Sequence, residues 1–277
     1  MHSSAALRLK IESDLQHRYP YALSPAVRTI REVAASGISA IDELLYGGLP
    51  VGAISELTGS VSSGRTTIAL AFLANRTNDG SVCAWVDAGD AFDPESAAAN
   101  GVSLRHLLWV RCTDEPGKKP PPPRNSFQKQ SQPWTRLDQA IRATDLLLQA
   151  GGFAAIILDL ADEAIEHSRR IPLATWFRFR QAADRTRCSL IVLGRAAYAQ
   201  SSAALVLECR TDRVDAAFTN VIRGFSYSAQ RVRECFSPIT SITRKPGSPA
   251  TGLSRWGGKP PCSSWSAQAS WQLEKRA

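Results

Sequence analysis

The feature that most constrains the fold of this chain is a glycine-bounded loop between a predicted strand and a predicted helix. The β-rich run at 53–58 leads into Gly59 and Gly64, and a helical pattern begins near Thr66. Glycines at these places let the backbone curl so that successive N–H groups face one point, and the helix adds its positive N-terminal end. A strand, such a loop and a helix in this order predict a phosphate-binding loop, or P-loop.

Two side chains of this P-loop, those of Arg65 and Thr66, have expected roles in nucleotide binding. Arg65 stands where lysine is usual and is expected to face the terminal phosphates, while the Thr66 hydroxyl is placed to ligate Mg²⁺. Arginine replaces a compact ammonium with a planar fork, so the alternative is a vestigial loop that only supports the fold. The predicted nucleotide-binding residues of the loop are Gly59, Ser60, Val61, Ser62, Ser63, Gly64, Arg65, Thr66 and Thr67.

A second chemical element is the carboxylate of Asp159, which ends the apolar strand pattern at 155–159. In P-loop proteins a strand-end aspartate neighbours the loop and helps to hold Mg²⁺. The sequence therefore predicts ATP and Mg²⁺ as ligands, with Thr66 and Asp159 on the metal. It leaves the preference between ATP and other nucleotides open.

The order of the predicted elements indicates the α/β class with a mainly parallel central sheet. Short β-rich runs alternate with helical patterns, an order that favours a parallel sheet covered on both faces. The predicted strands are 53–58, 82–87, 107–110, 154–159, 189–193 and 204–209.

Composition divides the chain into three regions. Residues 1–34 form a polar lead with a short helix, and 35–212 form the nucleotide-binding core. A proline-rich insertion at 114–133 is predicted to be an exposed loop. Residues 213–277 are predicted to be an irregular basic extension rich in Trp, Pro and Gly, apart from a strand pair near 218–236.

Charge and tryptophan content single out the C-terminal extension. The net charge of the chain is +8, and residues 213–277 hold ten basic against three acidic side chains. This tail either contacts phosphates or an acidic partner, or only solubilises the protein. Trp256, Trp265 and Trp271 either dock back on the core or anchor a partner protein, and the basic, Pro/Gly-rich setting favours a partner.

Cysteine usage and the N-terminal sequence favour a cytoplasmic protein without a membrane partner. The six cysteines are scattered, with no spacing typical of a metal site or a disulfide framework, so we expect reduced thiols. Charged residues interrupt the N-terminal sequence, and no apolar run is long enough to span a bilayer.

Two segments of the core resemble the RecA family, and the resemblance covers about residues 36–209. The segments are Gly37-Ile38, Leu44, Gly47-Gly48-Leu49-Pro50, Gly52, Glu56, Gly59 and Ser62–Thr67, followed by Val86-Asp87-Ala88-Gly89-Asp90-Ala91-Phe92-Asp93-Pro94. The resemblance implies a RecA-like core that acts in DNA repair and recombination, with single-stranded DNA as a partner and homo-oligomers. The chain length and divergent ending are similar to those of the ImuA-type RecA relatives. These are accessory factors of damage-induced (SOS) mutagenic DNA synthesis, which implies a translesion polymerase or another repair protein as partner.

Departures from the RecA pattern bear on catalysis. Gly89 replaces the glutamate that activates water in RecA, so hydrolysis is expected to fall by about 10²–10⁴-fold. Asp90 is adjacent, but an offset of one residue on an extended segment points its side chain elsewhere. The resemblance assigns Asp93 to the adenine, puts Ser96 where RecA has a stacking tyrosine, and puts Arg195 where RecA has its γ-phosphate-sensing glutamine.

The DNA-binding loops implied by the resemblance are altered too. The first is 160–171, with Arg169 and Arg170 as candidate contacts, and the second is only 196–202. A short second loop disfavours strand exchange by the RecA route. Trp176 and Phe177 are expected in the core. We therefore expect an accessory protein with weak or no hydrolysis; the alternatives are an active DNA-dependent recombinase and a regulatory P-loop ATPase unrelated to DNA.

Overall fold

The computed structural model describes residues 29–113, 135–216, 222–238 and 261–268. The predicted helix of the N-terminal lead and the proline-rich insertion at 114–133 lie outside these residues, as do Trp256 and Trp271.

Strands of the described residues form one large sheet and two short pairs. In chain order they are β1 (Thr29–Arg31), β2 (Val33–Ala34), β3 (Leu49–Pro50), β4 (Ile54–Gly59), β5 (Cys83–Asp87), β6 (Leu107–Arg111), β7 (Ala155–Asp159), β8 (Ser189–Gly194), β9 (Ala203–Ala216), β10 (Ile222–Glu234), β11 (Phe236–Pro238) and β12 (Cys262–Gln268). The large sheet has the order β12-β10-β9-β4-β8-β7-β5-β6, while β1 pairs with β11 and β2 with β3.

Six α-helices connect these strands within the described residues. They are α1 (Ser39–Leu44), α2 (Arg65–Asn78), α3 (Pro94–Ala99), α4 (Arg136–Ala150), α5 (Ile165–Ser168) and α6 (Leu173–Thr186). Local sequence explains the ends of α4: Thr135 and Asp138 form a reciprocal capping box, and Gly151 with φ 70° ends the helix.

The α/β class and the mainly parallel sheet are confirmed. Strands β4 to β9 pair in parallel with one another. Strands β4, β5, β7 and β8 are buried almost throughout, as expected where helices cover both faces. The first residue of each predicted strand lies within one residue of the first residue of an observed strand.

The C-terminal part of the sheet differs from the predicted irregular extension. Strand β9 runs past residue 212 to Ala216, and β10 and β12 add to it antiparallel. Tyr227 and Ala229 on β10 are buried while Ser228 between them is more exposed, which is the alternation of a half-buried strand. Strands β10 and β12 therefore continue the core sheet, with β10 in the segment predicted to hold a strand pair, whereas β11 pairs with β1 outside that sheet.

Each face of the sheet buries its own apolar cluster. Helix α2 covers one face with Ile68 and Phe72, and α6 covers the other with Trp176 and Phe179. Trp176 lies in the core as predicted. Phe177 is 53% exposed, so its predicted core position is wrong, because it lies on the outer side of α6 between the two buried aromatic residues. No helix of the described segments combines the length and apolar character needed to cross a bilayer.

Candidate functional site

The predicted P-loop joins β4 to α2 at the carboxyl edge of the sheet. Ser62 and Gly64 have left-handed backbone, with φ of 60° and 84°, and α2 begins at Arg65 without a side-chain N-cap. Gly59 has no room for a side chain, since an added Cβ would lie 2.4 Å from the carbonyl oxygen of Cys209. The first N–H groups of α2 lack partners within the helix, an arrangement that suits an anion.

Arg65 points into the protein instead of towards the mouth of the loop. Its side chain is buried, and its Nη1 donates to the carbonyl oxygens of Gly59 and, at 2.9 Å, of Gly194. Burial lowers the pKa of Arg65, while the charges of Asp159 and Asp162 act in the opposite direction. The expected approach of this cation to phosphates is thus not the geometry seen here, because the two carbonyl groups hold the guanidinium.

Thr66 and Asp159 offer oxygen donors of the kind that Mg²⁺ prefers. Thr66 is exposed on the first turn of α2, whereas Asp159 is buried and accepts a 3.0 Å hydrogen bond from the N–H of Ala161. Burial, aided by the neighbouring carboxylates of Asp87 and Asp162, raises the pKa of Asp159 to about 6. A cation would relieve this crowding of negative charge.

This donor set fits Mg²⁺ held partly by a nucleotide. The described residues contain no group of three or more His, Cys, Asp or Glu side chains that could hold a metal ion alone. Mg²⁺ at nucleotide sites needs only one or two protein ligands, because phosphates and water supply the others.

An aromatic wall, formed by Tyr227 of β10 and Trp265 of β12, packs against the P-loop. A Cβ added at Gly64 would lie 2.8 Å from the Tyr227 ring and 3.0 Å from the Trp265 ring. The two rings are 5.4 Å apart, both residues are buried, and Tyr227 hydrogen-bonds with the Thr67 side chain. Trp265 thus docks on the core, so for this tryptophan the favoured prediction of a partner anchor is wrong.

The turn after β5 is held by a carboxylate and three aromatic rings. Asp87 accepts hydrogen bonds from the N–H groups of Ala91 and Phe92 and from the indole of Trp109. Phe92 packs between Trp85 and Trp109, with centroid distances of 4.7 Å and 5.4 Å. The turn that contains Gly89 is therefore fixed at the carboxyl edge of the sheet.

Asp90 and Asp93 on this turn are both engaged. Arg111 donates two hydrogen bonds to Asp90, at 2.8 and 2.9 Å, and lowers its pKa, so this carboxylate points away as predicted. Asp93 caps α3: its carboxylate accepts from the N–H groups of Glu95 and Ser96 and from the Ser96 hydroxyl. The hydrogen bond from Ser96 lowers the pKa of Asp93. The adenine contact expected of Asp93 stays a prediction.

Arg195 and Glu56 fix the loop that follows β8. The Nε of Arg195 donates a 3.0 Å hydrogen bond to the carbonyl oxygen of Ala161, in the loop after β7. Glu56 on β4 is buried, and its Oε1 accepts from the N–H groups of Tyr198 at 2.5 Å and Ala199 at 2.9 Å. Burial raises the pKa of Glu56. The two loops named as DNA contacts are thus tied to each other and to the core sheet.

Arg169 and Arg170 are exposed at the end of α5. Arg170 lines a cleft of about 900 Å³ between α4 and the start of α6. The other residues with ionisable side chains that line this cleft are Arg136, Asp138, Arg142, Asp145, Glu163, His167 and Arg178. Arg178 is paired with Asp145 at 2.9 Å.

Sequence reasoning missed three contributors to the site. Tyr227 and Trp265 reach the P-loop from the end of the chain, and no local pattern relates them to Gly64. Asp162 lies beside Gly89, since a Cβ added at Gly89 would be 3.0 Å from its Oδ2. Its place three residues after a strand-end carboxylate was the available signal, because loops at the carboxyl edge of a parallel sheet converge on the ligand.

Comparison with known proteins agrees with this geometry. Residues 17–117 match the RecA N-terminal domain. Protein RecA from Arthrobacter sp. (strain FB24) is 36% identical over 138 residues, which are 50% of this chain and 33% of that protein. Protein RecA from Nostoc punctiforme is 45% identical over 86 residues, 31% of this chain and 24% of that protein. The chain thus matches a third or less of the length of these curated relatives.

The fold matches a solved recombinase structure. The crystal structure of the RadB recombinase superimposes with a TM-score of 0.51, covering 84% of this chain and 94% of that chain, at 15% identity. At this identity the likeness concerns the fold alone. The matched segment, the RecA relatives and the recombinase fold agree, and together they support a RecA-like family for this chain.

Proposed function

We propose that this chain is a nucleotide-binding accessory protein of DNA repair or damage-induced mutagenic DNA synthesis, with weak hydrolysis of ATP. One observation carries this proposal: the Arg65 side chain donates to the backbone carbonyl groups of Gly59 and Gly194, although the loop otherwise keeps a P-loop backbone. The first N–H groups of α2 are already placed to bind a phosphate. To bind the Arg65 guanidinium as well, a nucleotide would have to displace the two carbonyl oxygens that hold it.

Three further features of the site support a phosphate ligand with Mg²⁺: the uncapped start of α2, the Ser63 hydroxyl, and the oxygen atoms of Thr66 and Asp159. The first turn of α2 has no side-chain cap, and the buried Ser63 hydroxyl has no hydrogen-bond partner among the described residues. A phosphate oxygen would satisfy both. Thr66 and Asp159 would hold Mg²⁺, which would neutralise the phosphates and the crowded carboxylates when bound.

Weak hydrolysis follows from two features of the site. Gly89 carries no carboxylate, and Asp90 is held by Arg111. Arg65 supplies its charge to the loop backbone, and electrostatic stabilisation of the transferred phosphoryl group requires donors aimed at that group. These features place an active recombinase of the RecA type second. The similarity to RecA disfavours a regulatory ATPase unrelated to DNA.

The accessory role rests on the loops and the basic residues. Single-stranded DNA would contact Arg169 and Arg170, which are exposed on the loop after β7. A translesion polymerase or another repair protein, and further copies of this chain, are the proposed protein partners, as for the ImuA-type relatives.

Nucleotide titration with and without Mg²⁺, followed by phosphate release with single-stranded DNA, tests this function. We expect Mg²⁺-dependent binding and slow release. Release at rates typical of RecA that is lost in Asp159→Ala would instead favour the active recombinase. No binding of any nucleoside triphosphate would mean that the loop only supports the fold.

A further inference from the structure

A carboxylate from the loop after β7 fills the space beside Gly89. A Cβ added at Gly89 would lie 3.0 Å from both the Cβ and the Oδ2 of Asp162. Contacts this short are tighter than ordinary van der Waals packing, so a side chain at 89 and the Asp162 side chain would compete for the same space. The carboxylate of Asp162 thus stands where a side chain on Gly89 would begin.

Asp162 also acts on the P-loop by its charge. It raises the pKa of Arg65, the cation of the loop, and that of Asp159, the proposed Mg²⁺ ligand. Both groups lie at the carboxyl edge of the sheet, where ligands of parallel α/β sheets bind. Asp162 itself is exposed, so that solvent water can reach its carboxylate.

The other aspartates at this edge are engaged elsewhere. Asp87 binds two backbone N–H groups and an indole, Asp90 binds a guanidinium, and Asp93 caps α3. Asp159 is buried and accepts a backbone N–H. Asp162, in contrast, has no hydrogen bond or ion pair with another residue in the described part of the chain.

We propose that Asp162 is the carboxylate that orients the attacking water and accepts its proton during the slow hydrolysis of ATP. The role rests on the nucleotide binding proposed above. The water oxygen forms a bond to the terminal phosphorus as the bond from that phosphorus to the bridging oxygen breaks. The bridging oxygen leaves with ADP, the proton passes to Oδ2 of Asp162, and inorganic phosphate is released.

Asp162→Asn is the direct test, because asparagine keeps the shape and removes the proton acceptor. Single-turnover hydrolysis of ATP with Mg²⁺ and single-stranded DNA is expected to fall about 10²-fold, the lower end of what general-base assistance supplies. Affinity for a non-hydrolysable ATP analogue should stay within about twofold, because the variant leaves the P-loop intact. The matched controls are Glu166→Gln, an exposed acid on α5 of the same segment, and Asp90→Asn; both should hydrolyse ATP as the unaltered protein does.

Exchanging the two side chains separates a chemical role from a structural one. Gly89→Glu alone places its Cβ against Asp162, so we expect little gain. Gly89→Glu combined with Asp162→Gly removes that contact and returns a carboxylate to the site. We expect hydrolysis at least about tenfold above Asp162→Asn, since general-base assistance is worth more than this. If Asp162 has only a structural role, hydrolysis by the double variant should not rise above that of Asp162→Asn.

The outcomes distinguish this role from the proposed function. If the unaltered protein binds the analogue but Asp162→Asn hydrolyses ATP at the same rate, the role of Asp162 is wrong and nucleotide binding stands. If the exchange variant binds the analogue and shows no rescue, the proton-accepting role is also wrong. If the unaltered protein binds no nucleotide, the proposed function fails and this role fails with it.

Discussion

The guanidinium of Arg65 donates a 2.9 Å hydrogen bond to the carbonyl oxygen of Gly194 and so joins the P-loop to the end of β8. The same side chain holds the carbonyl oxygen of Gly59 at the start of the loop. One cation therefore fixes the P-loop shape and links it to the segment that carries Arg195. A nucleotide that recruited this cation would break both bonds.

Arg65→Lys is expected to raise nucleotide affinity about tenfold, which corresponds to roughly 1.4 kcal/mol. The lysine amine ends one bond nearer the backbone than Nη1 of arginine, so it cannot reach both carbonyl oxygens and is free to meet phosphates. Titration with a fluorescent ATP analogue measures the change. Arg76→Lys, at the other end of α2 with only a 3.9 Å pair to Asp79, is the control. Equal or weaker binding by Arg65→Lys would show that the inward bonds do not oppose the nucleotide.

Trp265→Ala is expected to destabilise the protein by roughly 3 kcal/mol, as for truncation of a buried aromatic residue. The wall against Gly64 would lose one of its two rings, so backbone N–H groups of residues 62–66 should exchange faster with solvent. Urea unfolding and hydrogen exchange measure the two effects. Ser264→Ala, an exposed neighbour on β12, should change neither. Unchanged exchange in the P-loop would mean that β12 packs on the core without stabilising the loop.

Asp159→Asn is expected to stabilise the protein at neutral pH. The pKa of Asp159 is raised to about 6 in the folded state from 3.8, so its contribution is a penalty that grows as pH rises from about 4 to about 6. At 1.36 kcal/mol per pKa unit the penalty reaches at most about 3 kcal/mol above pH 6 and vanishes below pH 4. Urea unfolding at pH 4 and pH 7.5 should show the advantage of the variant only at the higher pH. An equal difference at both values would exclude this titration as the cause.

Glu56→Ala is expected to cost roughly 2–5 kcal/mol, because it leaves two buried N–H groups without an acceptor. Those groups belong to Tyr198 and Ala199, and their hydrogen exchange should increase. Glu56→Gln is the matched control: its amide oxygen can still accept both bonds, so it should lose clearly less stability than Glu56→Ala, although its N–H₂ group replaces Oε2, which is buried without a partner among the described residues. Similar losses in both variants would argue that Glu56 acts by its charge and not by holding the loop.

Local sequence was sufficient for much of this protein. The run from β4 through Gly59 and Gly64 to α2 predicted a P-loop, because strand propensity, glycine freedom and helix initiation act over a few residues. The alternation of apolar strands with helices predicted the parallel sheet, and Asp159 followed from its place at a strand end. The family resemblance indicated that Gly89 stands where RecA has a carboxylate.

Tertiary structure decided what surrounds that loop. The inward direction of Arg65 depends on a carbonyl group at Gly194, and the wall against Gly64 comes from Tyr227 and Trp265. Tyr227 lies where the sequence predicted a strand pair, whereas Trp265 lies on a strand in the segment predicted to be irregular. Asp162 meets Gly89 because the sheet places β5 beside β7. Such contacts join residues far apart in the chain, and short-range propensity and hydrophobic period carry no information about which of them meet.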